Sequence, residues 1–317
     1  MSVRVRLLIA VLGAVVVGAV LARGGEGRPL PKAAQCPVFP ASSQWNQSVD
    51  RLPVHPRSDA MVRAIGRSDN AHADFGSGLW DGGPIGIPYV VVGREQPRVP
   101  VSFDYADESD RGRYPIPRDA PIEGGRRADG DRHVIVLDRA RCVLHELYAA
   151  YPVDGGKRWR AGSGARWDLR SNRLRPRGWT SADAAGLPIL PGLVRYDEVR
   201  RGRIDHALRI TVPRTRRAFI YPARHFASDS RDPNLPAMGQ RVRVRRGLDV
   251  SRFPPQSRVV LRALKRYGAL VADNGSAWYV SGAPSPRWSN DDLHSLHRLR
   301  GSDFEVVDTS RMPRPRR

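Results

Sequence analysis

The chain predicts a mainly β protein, an antiparallel β-sandwich or jelly roll with one or two short helices. The 30 glycines and 27 prolines are spread through 317 residues rather than set in tandem. That suits many short elements joined by turns and argues against a helical bundle. Short segments alternate apolar and polar residues, as half-buried strands do, and only two stretches keep a helical spacing. At 40% hydrophobic residues, a chain of this length buries a sizeable core, which excludes a small stapled scaffold and a disordered chain.

Taken in order, the elements begin with Arg4 and Arg6 ahead of an apolar run at 7–22. A basic start, an apolar stretch and small residues at its end form the pattern of a secretory signal. The run is short of the ~20 residues that span a bilayer, so residues 1–22 read as a signal peptide, with an uncleaved anchor as the alternative. Either way the body is secreted or extracytoplasmic, and it meets a membrane only through this segment. Residues 23–60 are proline-rich and read as an extended lead-in. A single β-rich domain follows at 61–310, then a basic tail at 311–317. Strands are expected at 87–92, 99–105, 133–137, 142–150, 159–169, 207–212, 218–221, 241–244, 269–273 and 278–280. In the 142–150 strand, Cys142, Leu144, Glu146 and Tyr148 share one face, and Val143, His145, Leu147 and Ala149 share the other. Helices are expected at 256–267, ended by Gly268, and at 290–299, with Asn290 as N-cap.

Cys36 and Cys142 are the only cysteines, and in an exported chain an even count implies a disulfide. Closing a loop of about 100 residues contributes on the order of 4–5 kcal/mol in the chain-entropy model. The formal charge is +21, with 53 Lys+Arg against 32 Asp+Glu, and Lys32, Lys157 and Lys265 are the only lysines. Such potential steers acidic partners to the surface. No helix-turn-helix, zinc-finger, RNP or basic-zipper pattern occurs, so nucleic acid is not the expected anion. A polysaccharide or other cell-wall polymer, acidic ones included, is.

The blocks 180–199 (TSADAAGLPILPGLVRYDEV), 204–209 (IDHALR), 222–225 (PARH), 263–268 (ALKRYG) and 272–275 (ADNG) make the chain resemble a group of secreted bacterial proteins. The likeness runs over roughly residues 36–310. It implies an exported, single homologous unit and carries no activity or catalytic residues with it.

Function must therefore be read from the residues. Exposed indoles on a β-scaffold stack on sugar rings. Trp80, Trp179 and Trp288 lie in loop-like company and Trp167 flanks a strand, so these four, with Tyr221 and Arg224, are the expected substrate contacts. A glycosidase needs two carboxylates, one acid and one base or nucleophile. Glu146, on a well-patterned strand, and Asp168, on the neighbouring one, are the expected pair, with Asp183 and then Asp197 or Glu198 as second choices. His206 and His225 fit a polysaccharide lyase in which Tyr221 and Arg224 assist. The three functions weighed are therefore a glycoside hydrolase, a non-catalytic wall-polymer binder and a lyase. His294 and His297 share a helix face after Asp291 and Asp292 but lack a third ligand, so no metal is expected. No Walker loop, dinucleotide fingerprint, zincin helix or EF-hand loop is present, and no cofactor is expected.

Overall fold

The computed structural model describes residues 27–315, so the expected signal segment lies outside the described residues. The chain is mainly sheet, with 25% strand against 16% helix. The largest sheet has six strands, in the spatial order His72–Asp74, Tyr279–Ser281, Leu208–Val212, Ala269–Asn274, Arg241–Val244 and Phe304–Val306. A second sheet runs Ser163–Asp168, Val143–Tyr148, Val134–Asp138, Tyr89–Val92. A third runs Arg113–Tyr114, Val99–Phe103, Arg158–Ala161, Tyr151–Val153. Each of the three contains at least one parallel pairing, so the sheets are mixed rather than uniformly antiparallel.

The second sheet is the middle layer, and strand alternation explains why. Along Val134–Asp138, Val134 and Val136 join a core with Trp159 and Tyr114 of the third sheet. Ile135 and Leu137 turn the other way, into the main core shared with Val212, Leu270 and Val280 of the six-stranded sheet. Both faces are covered, which is why this strand reads as an unbroken apolar run. Between the second and six-stranded sheets lies a packed loop whose Ala182, Ala185, Leu187, Ile189 and Leu193 are all buried.

The expected strand at 218–221 is reduced to one bridge, Phe219 to Met238. Four α-helices occur among the described residues. Pro255–Arg266 places proline in its first turn and Lys265 and Arg266 in its last, and buries Val259, Val260, Ala263 and Leu264. It stops before Gly268, whose φ is +65° and where a Cβ would come within 2.2 Å of the Val242 carbonyl oxygen. Asn290–His294 is capped by Ser289, one residue earlier than expected, and continues as the 3-10 turn Ser295–Arg298. Ser58–Gly66 and Tyr196–Arg200 are the two helices not anticipated.

Residues 27–57 carry little regular structure yet are firmly packed: Leu30, Val38, Trp45 and Val49 are buried. Asn46 Nδ2 donates to the carbonyls of Val38, Phe39 and Pro40. Cys36 and Cys142 form the expected disulfide across 106 positions, tying this segment to the head of the Val143–Tyr148 strand. The bridge accords with an extracellular protein. No helix among the described residues is long and apolar enough to cross a membrane.

Candidate functional site

Carboxylates gather where the six-stranded sheet meets the loops of the middle layer. Asp74 ends the edge strand, paired with Ser281 of the next strand. Arg209, on the third strand, donates to Ser281 Oγ at 2.7 Å and to Asp273 Oδ2 at 3.3 Å. Asp273 owes that contact to a bulge. The pairing runs Ile210 with Val271 and then Thr211 with Asp273, so Ala272 is passed over. Regular spacing would set Asp273 against Val212, on the face away from Arg209. Below them Asp183 takes a bidentate pair from Arg209, at 3.0 and 2.9 Å.

Glu123 and His133 complete the group from the middle layer. His133 Nε2 lies 2.8 Å from the Ala182 carbonyl and Nδ1 lies 2.5 Å from Glu123 Oε2. Both partners are acceptors, so both ring nitrogens donate and the ring is an imidazolium. Burial alone would lower its pKa, but the charge and hydrogen bond of Glu123 outweigh it and push the imidazole up to about 9. Burial likewise raises the Glu123 carboxyl, and His133 more than reverses this, holding it below the usual carboxylate range.

Asp273 shows the opposite bias. Burial and the nearby Asp183 charge push its carboxyl up to about 7 against the pull of Arg209. Asp74 is also raised, by burial first and then by Glu123, with Arg209 opposing. Asp131, exposed at the rim, is within electrostatic reach of both Asp74 and Asp273. Solvent still touches these groups: Asp273 keeps 22% and Glu123 24% of side-chain exposure, and Asp74 is classed as exposed. These acids are thus partly covered and partly wet, and we call the place where they gather the recess.

Aromatic side chains occur on segments neighbouring this cluster. Tyr148 lies within electrostatic reach of Asp131, Asp273, Tyr105 and Tyr151, and the last two are exposed. The hairpin of Leu79–Trp80 and Gly83–Pro84 leans on the Gly124-Gly125 pair that follows Glu123. A Cβ on Gly83 would come within 2.1 Å of the Gly124 backbone, so only glycine permits this approach. At its tip Trp80 is 79% exposed.

The structure does not bring Glu146 and Asp168 together. Glu146 pairs with Ala165 while Asp168 pairs with Val143, three positions along and on the other face of the sheet. Glu146 is 0% exposed and accepts from the Ile189 and Leu190 amides at 2.9–3.0 Å, capping the 3-10 turn Leu190–Gly192. Burial, opposed by those amides, pushes its carboxyl up to about 7. Asp183 is equally sealed beneath Arg209. Glu198 is buried between Arg195 and His206 at 2.6 and 3.1 Å, and Asp197 pairs with Arg201. That accounts for His206, whose ring nitrogens are taken by Glu198 and the Ala207 carbonyl rather than by Tyr221 or Arg224. His225 donates from Nδ1 to the Ala184 carbonyl and stacks on Phe226.

Trp288 is buried against Phe75 and Tyr196, with its indole N–H on the Ala283 carbonyl. Trp167, Trp179, Tyr221 and Arg224 do converge, with Asp168, on a separate hollow of about 1630 Å³. His297 approaches His72 at 2.5 Å, and His294 lies tilted against His297 with ring centroids 4.2 Å apart. No group of His, Cys, Asp and Glu among the described residues could hold a metal ion. Asp292 instead caps Pro255–Arg266 through the Gln256 and Ser257 amides.

The recess residues Asp74, Glu123, Asp131, His133, Arg209 and Asp273 were not singled out from the sequence. Asp273 lay inside an expected strand and Asp74 in no segment singled out, and each acid arrives alone on its own segment. Searched against family models, curated proteins and solved structures, the chain matches none.

Proposed function

We propose that this is an exported glycoside hydrolase whose acids are those of the recess rather than Glu146 and Asp168. One observation carries the reading: Asp273 and Glu123, both reachable by solvent and both within electrostatic reach of Arg209, are biased in opposite directions. Paired carboxylates whose surroundings push them apart are what acid and base roles require. Asp273, protonated up to about pH 7, gives its proton to the glycosidic oxygen as the bond to the anomeric carbon breaks. Glu123, ionised through its contact with His133, takes a proton from the water whose oxygen bonds to that carbon. Asp74 and Asp131 accept hydrogen bonds from sugar hydroxyls, and Trp80 and Tyr148 offer faces to the rings. Arg209 is a positioning residue, holding Asp273 and Ser281 in place.

The test is incubation of the mature protein with neutral and acidic polysaccharides, read for reducing ends and for unsaturated uronate. Hydrolysis is expected without uronate absorbance. Asp273→Asn and Glu123→Gln should each lose about 10²–10⁴ in rate in a folded protein, the second with a lowered melting temperature because buried His133 loses its partner. Unaltered rates in both variants, or uronate absorbance as the main product signal, would overturn the proposal.

A further inference from the structure

The hollow beside Trp179 differs in chemistry from the recess, and we infer that it is a separate binding site for an acidic glycan. Arg166, Arg170, Arg173, Arg175, Arg177 and Arg314 line its roughly 1630 Å³, with Asp110 and Asp168 as the acids. Asp110 is committed to Arg175 at 2.5 Å, and Asp168 Oδ1 accepts from the Arg170 amide at 2.9 Å. Among the described residues no carboxylate lies within salt-bridge distance of Arg173 or Arg177. Positive charge is thus left over inside a concavity, where low-dielectric walls focus its field.

Three guanidinium groups lie over aromatic rings. Arg177 lies 4.7 Å over Phe219, Arg314 5.4 Å over Tyr221, and Arg175 5.4 Å from Trp179. A guanidinium offers a planar fork of N–H donors, which suits bidentate capture of a carboxylate or sulfate. Flat rings beside such forks match a polymer that alternates sugar faces with anionic groups. Choosing a glycan over another polyanion rests on the carbohydrate reading of the recess. The two sites are distinct along one strand: Ser163 pairs with Tyr148 at the recess, while Arg166, Trp167 and Asp168 line the hollow. Five residues of extended chain separate these ends by about 17 Å.

The test is calorimetric binding of hexagalacturonate to the full chain, against cellohexaose and a single-stranded oligothymidylate of similar length. Hexagalacturonate is expected to bind more tightly than both, and the affinity should fall as salt is raised. Arg173→Ala with Arg177→Ala, both at exposed positions, should weaken it about tenfold or more. Arg262→Ala, exposed on the Pro255–Arg266 helix, should leave it unchanged. Equal binding of cellohexaose, tighter binding of the oligothymidylate, or wild-type affinity in the double arginine variant would overturn the inference. Binding through these arginines by a chain that hydrolyses nothing would sink the hydrolase reading and leave this one standing. Hydrolysis with no arginine dependence of binding would do the reverse.

Discussion

Two sets of acids in this molecule behave as different materials. Glu146, Asp183 and Glu198 are sealed from water, and each is held by fixed donors: two amides, one bidentate arginine, or an arginine with a histidine. Asp74, Glu123 and Asp273 remain open to solvent on one side and are held by only part of their hydrogen-bonding capacity. The first set stabilises loops against the sheets; the second can exchange protons. A carboxylate's environment, rather than its neighbourhood in sequence, decides which it does.

The largest expected break in this comparison is Asp183→Ala, which strands the buried Arg209 guanidinium. Loss of one partner of a buried pair costs about 3–5 kcal/mol, and chemical denaturation should show it. Retained stability would mean that Asp183 belongs with the open set. Glu146→Gln should do the reverse, because Oε1 already accepts from both the Ile189 and Leu190 amides. With a folded pKa near 7 against an ordinary unfolded value, the native state binds the extra proton. Wild-type stability therefore falls as pH rises through that interval, by on the order of 2–4 kcal/mol, and the Gln variant should escape the loss. Melting temperatures of the two proteins between pH 5 and pH 8 should diverge accordingly, while hydrolytic rates stay alike.

A smaller effect sharpens the acid assignment. Activity should decline above pH about 7 as Asp273 deprotonates, at up to about tenfold per pH unit. A profile flat through pH 8 would remove Asp273 as the proton donor. Smallest is Trp80→Ala, expected to raise KM about tenfold through lost ring stacking while kcat holds. A fall in kcat alone would place the indole nearer the reacting bond.

The strands were legible because alternation is a local property: Val143–Tyr148, Arg241–Val244 and Ala269–Asn274 lie within a residue or two of where the pattern sets them. That same clarity misdirected the search for acids. A carboxylate on the cleanest strand is the one most fully enclosed by its neighbours, as Glu146 is. The recess instead draws single acids from an edge strand, two loops and a bulge, and a bulge at Ala272 leaves no mark in apolar spacing. Tryptophans in glycine- and proline-rich company were equally ambiguous: Trp288 is packed away and Trp80 stands free. The helix Ser58–Gly66 had a signal in the spacing of Met61, Val62 and Ile65, overshadowed by the prolines before it.

The single bridge between Cys36 and Cys142 has a consequence for how the chain matures. Synthesis delivers Cys36 first, and its partner arrives 106 positions later. With no third thiol in the sequence, oxidation has one intramolecular answer and no scrambled isomer to repair. The error left open is a covalent dimer between two half-finished chains, which dilution suppresses and crowding promotes.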